Sequence, residues 1–140
     1  MLAGGSAERG WRTFEGNGFR SLIAQRYLEG TLLIGISAGA VQLGRGGLMD
    51  DKSAVIATFG FVPLYIGVHE EREDWKSLRR ALSLQEPPLH GIGIPAGGGV
   101  MCHANELFPF RKPVFDIESG IMGRREGEIY PVPKSASQLQ

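Results

Sequence analysis

The sequence predicts an α/β domain, with functional loops at the C-terminal ends of the strands. Three observations lead there. Apolar runs alternate with stretches of helical period along the front of the chain. Residues 32–36 form a continuous apolar run, as a parallel strand covered on both faces requires. Glycine, 21 of 140 residues, is clustered between these segments, where tight turns and close backbone approach call for it.

Each element has its own signal. Residues 1–3 read as the end of a strand. From Asn17 a helical stretch sets Phe19, Leu22, Ile23 and Tyr27 on one face, and Gly30 closes it as a C-terminal cap. Residues 32–36 follow as a strand and 38–43 as a short helix. Residues 45–53 are expected as a loop, then 54–59 and 64–68 as strands. Residues 73–84 make a helix with Trp75, Leu78 and Leu82 turned inward, stopped by Pro87 and Pro88. From Gly91 the chain changes to short strands and turns, at 91–94, 99–103, 114–117 and 128–132. A polar tail, 134–140, is expected to fray, which leaves 1–133 as a single domain.

Composition excludes several classes. With 42% apolar residues, 140 residues can build one core. Fifteen basic residues balance fifteen acidic ones, so nothing favours nucleic acid or an acidic membrane surface as partner. No apolar run approaches the ~20 residues of a membrane span. The N-terminus lacks the basic region and long apolar core of a secretory signal. Cys102 stands alone, which rules out an intrachain disulfide and fits a reducing compartment. The expected location is the cytoplasm.

The chemistry begins at Gly35-Ile36-Ser37-Ala38-Gly39. A G-x-S-x-G turn between a buried strand and a helix is a nucleophile elbow. Small residues flank the serine because its backbone is strained and strand and helix pack closely there. The N–H groups at the start of the helix can then face a developing oxyanion. A glycine-rich turn with a capping serine is the plainer reading of the same residues. A serine hydroxyl also needs a base. Of three histidines, His69 ends an apolar strand just ahead of a helix, where a parallel sheet places its reactive groups. His90 sits in a proline-rich segment and reads as a turn residue. Cys102 and His103 alternate on a strand and point to opposite faces, a poor metal pair. No metal or cofactor is expected. An acid to orient His69 is sought in the loop after the elbow, at Asp51 or Asp50. Glu70 and Glu71 read instead as acids at a helix N-terminus.

Taken together, these pieces resemble the serine peptidase family of peptidase E (aspartyl dipeptidase) and cyanophycinase. The resemblance runs from Gly4 to about Val132. Leu2-Ala3-Gly4-Gly5 is similar to the family's glycine pair after a strand. Gly35-Ile36-Ser37-Ala38-Gly39-Ala40 matches its G-x-S-A-G-A serine motif, the most specific piece. Phe61-Val62-Pro63-Leu64-Tyr65-Ile66-Gly67-Val68-His69 looks like the strand ending in its histidine. Residues 71–79 with His90-Gly91-Ile92-Gly93-Ile94 resemble its Arg-containing helix and following strand. The resemblance implies a class I glutamine-amidotransferase-like three-layer α/β/α sandwich and hydrolysis of small peptides at aspartyl residues without cofactor. It implies Ser37 as nucleophile, His69 as base, and an oxyanion hole from Ala38 with Gly5 or Gly4. Arg72 and Ser6 are the candidate substrate-binding residues.

The chain also departs from the pattern. Cyanophycinase-like members carry an acid after the G-I-G-I strand, where Pro95-Ala96-Gly97 stands here, and an Asp where this chain has Gly67. Both departures argue against cyanophycin as substrate. Family members have further strands and helices before the glycine pair, so the resemblance implies that these 140 residues form the C-terminal half of a family domain. Unpaired strand edges would then invite a homodimer. Two rival readings stay open: a catalytically inactive member serving as a binding or assembly module, and a lipase- or esterase-like hydrolase sharing only the elbow.

Overall fold

The computed structural model describes residues 1–132 and is a mixed α/β structure. In chain order the helices are α1 (Ala7–Gly16), α2 (Phe19–Leu28), α3 (Ala38–Leu43) and α4 (Lys76–Ser83). The strands are β1 (Gly46–Leu48), β2 (Val55–Ala57), β3 (Tyr65–Val68), β4 (Leu89–Ile94), β5 (Gly99–His103), β6 (Glu106–Phe110), β7 (Val114–Gly120) and β8 (Gly123–Ile129). The expected tail, 134–140, lies outside the described residues.

The main sheet has the order β3-β4-β7-β8. β3 and β4 are parallel, joined through α4, and β7 and β8 add antiparallel strands. Alternation along β3 decides what each face meets. Tyr65 and Gly67 face α4, where Tyr65, Trp75, Leu78, Leu82, Leu89 and Ile117 make one apolar cluster. Leu64 and Ile66 face the other way and pack with Ala40 of α3 and Ile92, flanked by Val100 and Leu107 of the β5–β6 hairpin. Ile92 and Ile117 are fully buried.

Glycine sets the distance between α4 and the sheet. A Cβ on Gly67 would lie 2.9 Å from Leu78 Cβ, and one on Gly93 would lie 2.5 Å from the Trp75 ring. The helix therefore rests on bare strand backbone. It starts later than its apolar period predicts, because Asp74 and Trp75 take left-handed conformations after a 3-10 turn at Glu71–Glu73. Trp75 nonetheless packs inward, stacked 5.7 Å from Phe115.

Several expectations are corrected. Residues 32–36 form no extended strand; a single parallel bridge joins Leu2 to Gly35, and Leu32, Ile34 and Ile36 are exposed. Among the described residues only Leu2 comes alongside to pair, so the run lacks the two neighbours a buried strand needs. The apolar face of α2 is half-open: Phe19, Leu22 and Tyr27 are exposed, with Tyr27 stacked on Phe61 at 4.0 Å. α1 was not expected at all. Ser6 caps it by accepting from Arg9 N–H at 3.1 Å, and Trp11 anchors it edge-on to Phe59. β1 falls inside the expected loop 45–53, where it pairs with β2. The last strand lies earlier than residues 128–132, because β7 turns back through Gly120–Gly123.

Candidate active site

Ser37 stands between the Leu2–Gly35 bridge and α3 with φ 55° and ψ −119°, a backbone state that side chains rarely adopt. Its neighbours explain how the turn is held. A Cβ on Gly35 would sit 2.5 Å from Gly39 O and 2.6 Å from Ala40 Cα, and one on Gly39 would sit 2.3 Å from Leu2 O. Only glycine lets strand, helix and the Leu2 segment meet so closely. This geometry is the elbow that the G-x-S-x-G spacing predicts.

His69 follows β3 with φ 42°, and its N–H donates to Ile94 O at 2.8 Å. That turn carries the imidazole to the elbow: Ser37 Oγ lies 2.8 Å from His69 Nε2. Two residues 32 positions apart thus meet at hydrogen-bonding distance. For the hydroxyl to donate, the ring proton must sit on Nδ1.

The pair opens into a cleft of about 420 Å³, within the size range of small-ligand sites. Gly5, Ala38, Lys52, Glu70 and Glu73 stand among its walls. Gly4 lies against the serine, since a Cβ there would be 3.3 Å from Ser37 Cβ and 3.8 Å from Oγ. Gly5, at φ 140°, holds a conformation reserved for glycine. Among the described residues, the N–H groups of Gly4, Gly5 and Ala38 donate to no protein acceptor. They remain open to a ligand oxygen. Lys52 is the one lysine or arginine among the described cleft residues, which also include Asp50, Glu70 and Glu73.

The two aspartates are engaged elsewhere. Asp50 accepts from Ser6 Oγ at 2.9 Å, and its own N–H donates to Glu8 Oε2. Asp51 accepts from the Ser53 hydroxyl at 2.7 Å and from its N–H at 2.9 Å, which holds its carboxyl below the usual value. Among the described residues, no carboxylate hydrogen-bonds the His69 ring. The arrangement is a dyad. Glu70 caps α4 by accepting from Ser77 N–H at 3.0 Å, the role its position predicts. Glu71 accepts from Ala96 N–H at 3.2 Å, fastening the loop after β4. Its carboxyl is held low chiefly by its own N–H, with help from Ala96 N–H and the nearby Lys112 charge.

Neither candidate substrate-binding residue lines this cleft. Arg72 is exposed in the 3-10 turn, and Ser6 is occupied as the α1 cap and the partner of Asp50. Lys52, whose signal in sequence was only its place in a glycine-flanked loop, stands there instead. Comparison with protein-family models, curated proteins and solved structures finds no match to the chain.

Proposed function

We propose that the chain is a serine-type hydrolase of the peptidase E kind, cleaving small peptides at aspartyl residues by acyl transfer. One observation carries the reading: the 2.8 Å contact between Ser37 Oγ and His69 Nε2 at a strained elbow. In the proposed reaction His69 Nε2 takes the hydroxyl proton as Ser37 Oγ attacks the scissile carbonyl. The N–H groups of Ala38 and of Gly4 or Gly5 hold the oxyanion. His69 then protonates the leaving amine, and water releases the acyl group. Lys52 offers a counter-charge for a substrate carboxylate, and Glu70 and Glu73 offer one for a free amino terminus. The finer architecture proposed is the class I glutamine-amidotransferase-like three-layer sandwich, supported by α4 on one sheet face and α3 with β5–β6 on the other. A cytoplasmic setting and a homodimer belong to the same proposal.

A second reading, an inactive member acting as a binding or assembly module, is favoured by the His69 ring having no carboxylate partner among the described residues. Losing the orienting acid of such a triad costs about 10⁴-fold in turnover. One pair of measurements separates the readings. A fluorophosphonate probe should label the wild type but not Ser37→Ala, and Asp-X dipeptides should be hydrolysed by the unlabelled wild type but neither by Ser37→Ala nor by the wild type once labelled. Failure of the wild type to react with either would remove the hydrolase reading.

A further inference from the structure

At the other end of the sheet, three donor groups converge where the hydrolase reading needs none. His90 stands four residues before Ile94 on β4, roughly 13 Å of strand from the His69 end. It lies in a strand and not in the proline-rich turn expected for it. His90 and Glu118 face each other directly across the β4–β7 ladder, and Asp116 is two residues from Glu118 on the same face. All three are half-buried, and their donor atoms lie within 4.8 Å of one another.

We propose that His90, Asp116 and Glu118 form a binding site for a divalent first-row cation, zinc by the nature of the donors. An imidazole nitrogen with two carboxylate oxygens suits that class of ion. Metal–ligand bonds of about 2.0–2.2 Å draw tetrahedral donors to roughly 3.4 Å apart. His90 Nε2 and Asp116 Oδ1 stand 2.6 Å apart, inside that spacing, so the pair gives up its hydrogen bond and parts by under about 1 Å as the ion enters, while Glu118 closes in by side-chain rotation. Antiparallel pairing fixes the three Cα positions and leaves the side chains little to search. Two carboxylates on one sheet face also repel unless positive charge lies between them. In the structure the His90 ring is hydrogen-bonded to Asp116, and the Arg125 guanidinium supplies positive charge beside Glu118. The Arg125 side chain is 78% exposed, so its guanidinium can swing into solvent and free the Glu118 oxygen. Three protein ligands leave a fourth position for water. The bound ion would tie β4 to β7 behind the apolar core.

The test is titration of metal-free, tag-free protein with zinc chloride, followed by calorimetry, with cobalt(II) absorption as a second reading. The expected result is one ion per chain and a rise in Tm of about 5 °C that EDTA reverses. Binding should be lost in His90→Ala and in Asp116→Asn, and should tighten severalfold in Arg125→Ala. Glu118→Gln keeps the test decisive if His90→Ala fails to fold, since Glu118 reaches toward solvent and its change should lower affinity at least about tenfold. Absence of zinc binding at millimolar concentration would overturn the proposal. So would binding that survives in a folded His90→Ala or Asp116→Asn, because the ion would then sit elsewhere and His90–Asp116 would be a hydrogen-bonded pair alone.

Discussion

The backbone N–H of His69 donates to Ile94 O, one residue beyond the β3–β4 ladder, and this bond fixes where the imidazole points. His69→Asn keeps a side chain that tolerates the left-handed backbone but removes the base. Its fluorophosphonate labelling rate should fall at least about 100-fold, with Tm within a few degrees of wild type. An unchanged rate would show that Ser37 reacts without His69.

Strain at Ser37 is the next measurable quantity. A non-glycine residue at φ 55° and ψ −119° costs about 1–3 kcal/mol. Ser37→Gly relieves that cost while adding unfolded-state entropy of up to about 1 kcal/mol. We expect it to be more stable than wild type by about 1 kcal/mol in urea denaturation, and inert. Ser37→Ala, which keeps the strain, should be inert without that gain.

Glycines at close contacts should behave unlike glycines in the open. Gly35→Ala places a methyl 2.5 Å from Gly39 O and should cost about 2–3 kcal/mol. Gly127→Ala on β8 has no neighbouring heavy atom within 4 Å and should stay within about 0.5 kcal/mol of wild type. Equal losses at the two positions would contradict the packing around the elbow.

Acid should weaken the bond between α4 and β8. Arg79 makes two hydrogen bonds to Glu126, at 2.5 and 2.9 Å, which holds the Glu126 carboxyl below its ordinary 4.5. A depressed folded-state value means the stabilisation is complete above about pH 4.5 and is lost as pH falls through the folded value. Glu126→Gln should cost about 1 kcal/mol at pH 7, given the partial exposure of the pair. It should also flatten part of the stability slope below pH 4.5. An identical slope in variant and wild type would assign the acid sensitivity to other carboxylates.

Since no carboxylate meets the His69 ring among the described residues, supplying one is a gain-of-function test. Ala96 lies on the loop after β4, fastened through its N–H by Glu71 and through its carbonyl by Lys112. Ala96→Glu restores the acid that the resemblance leads one to expect there. If the loop presents it to the ring, kcat/KM for an Asp-X dipeptide should rise at least about tenfold. No change would place the carboxylate out of reach of Nδ1.

What the sequence made legible was local chemistry under steric constraint. Gly35, Ser37 and Gly39 spell out the elbow because no larger residue fits where their Cβ atoms would clash. His69 was legible because it closes an apolar run ahead of a helix. Other features depend on contacts that no local pattern encodes. Trp11 is buried edge-on against Phe59, 48 residues later, a contact that no pattern within residues 7–16 announces. The α2 face has clear helical spacing, yet what covers a face is a tertiary matter, and most of that stripe is open. His90 looked like a turn residue because of the prolines before it. Its pairing with Glu118 across the ladder comes from a strand 28 residues away.

The glycine contacts beneath α4 have a consequence for how specificity can change. Gly67 and Leu78 belong both to that helix–sheet contact and to the wall of the cleft. Leu78 rests there on bare Gly67 backbone with no strand side chain between, so a larger residue at position 67 would push α4 off the strand that leads to His69. Under the proposed function, substrate variation would instead fall on Lys52 and Glu73, which line the same cleft outside that contact.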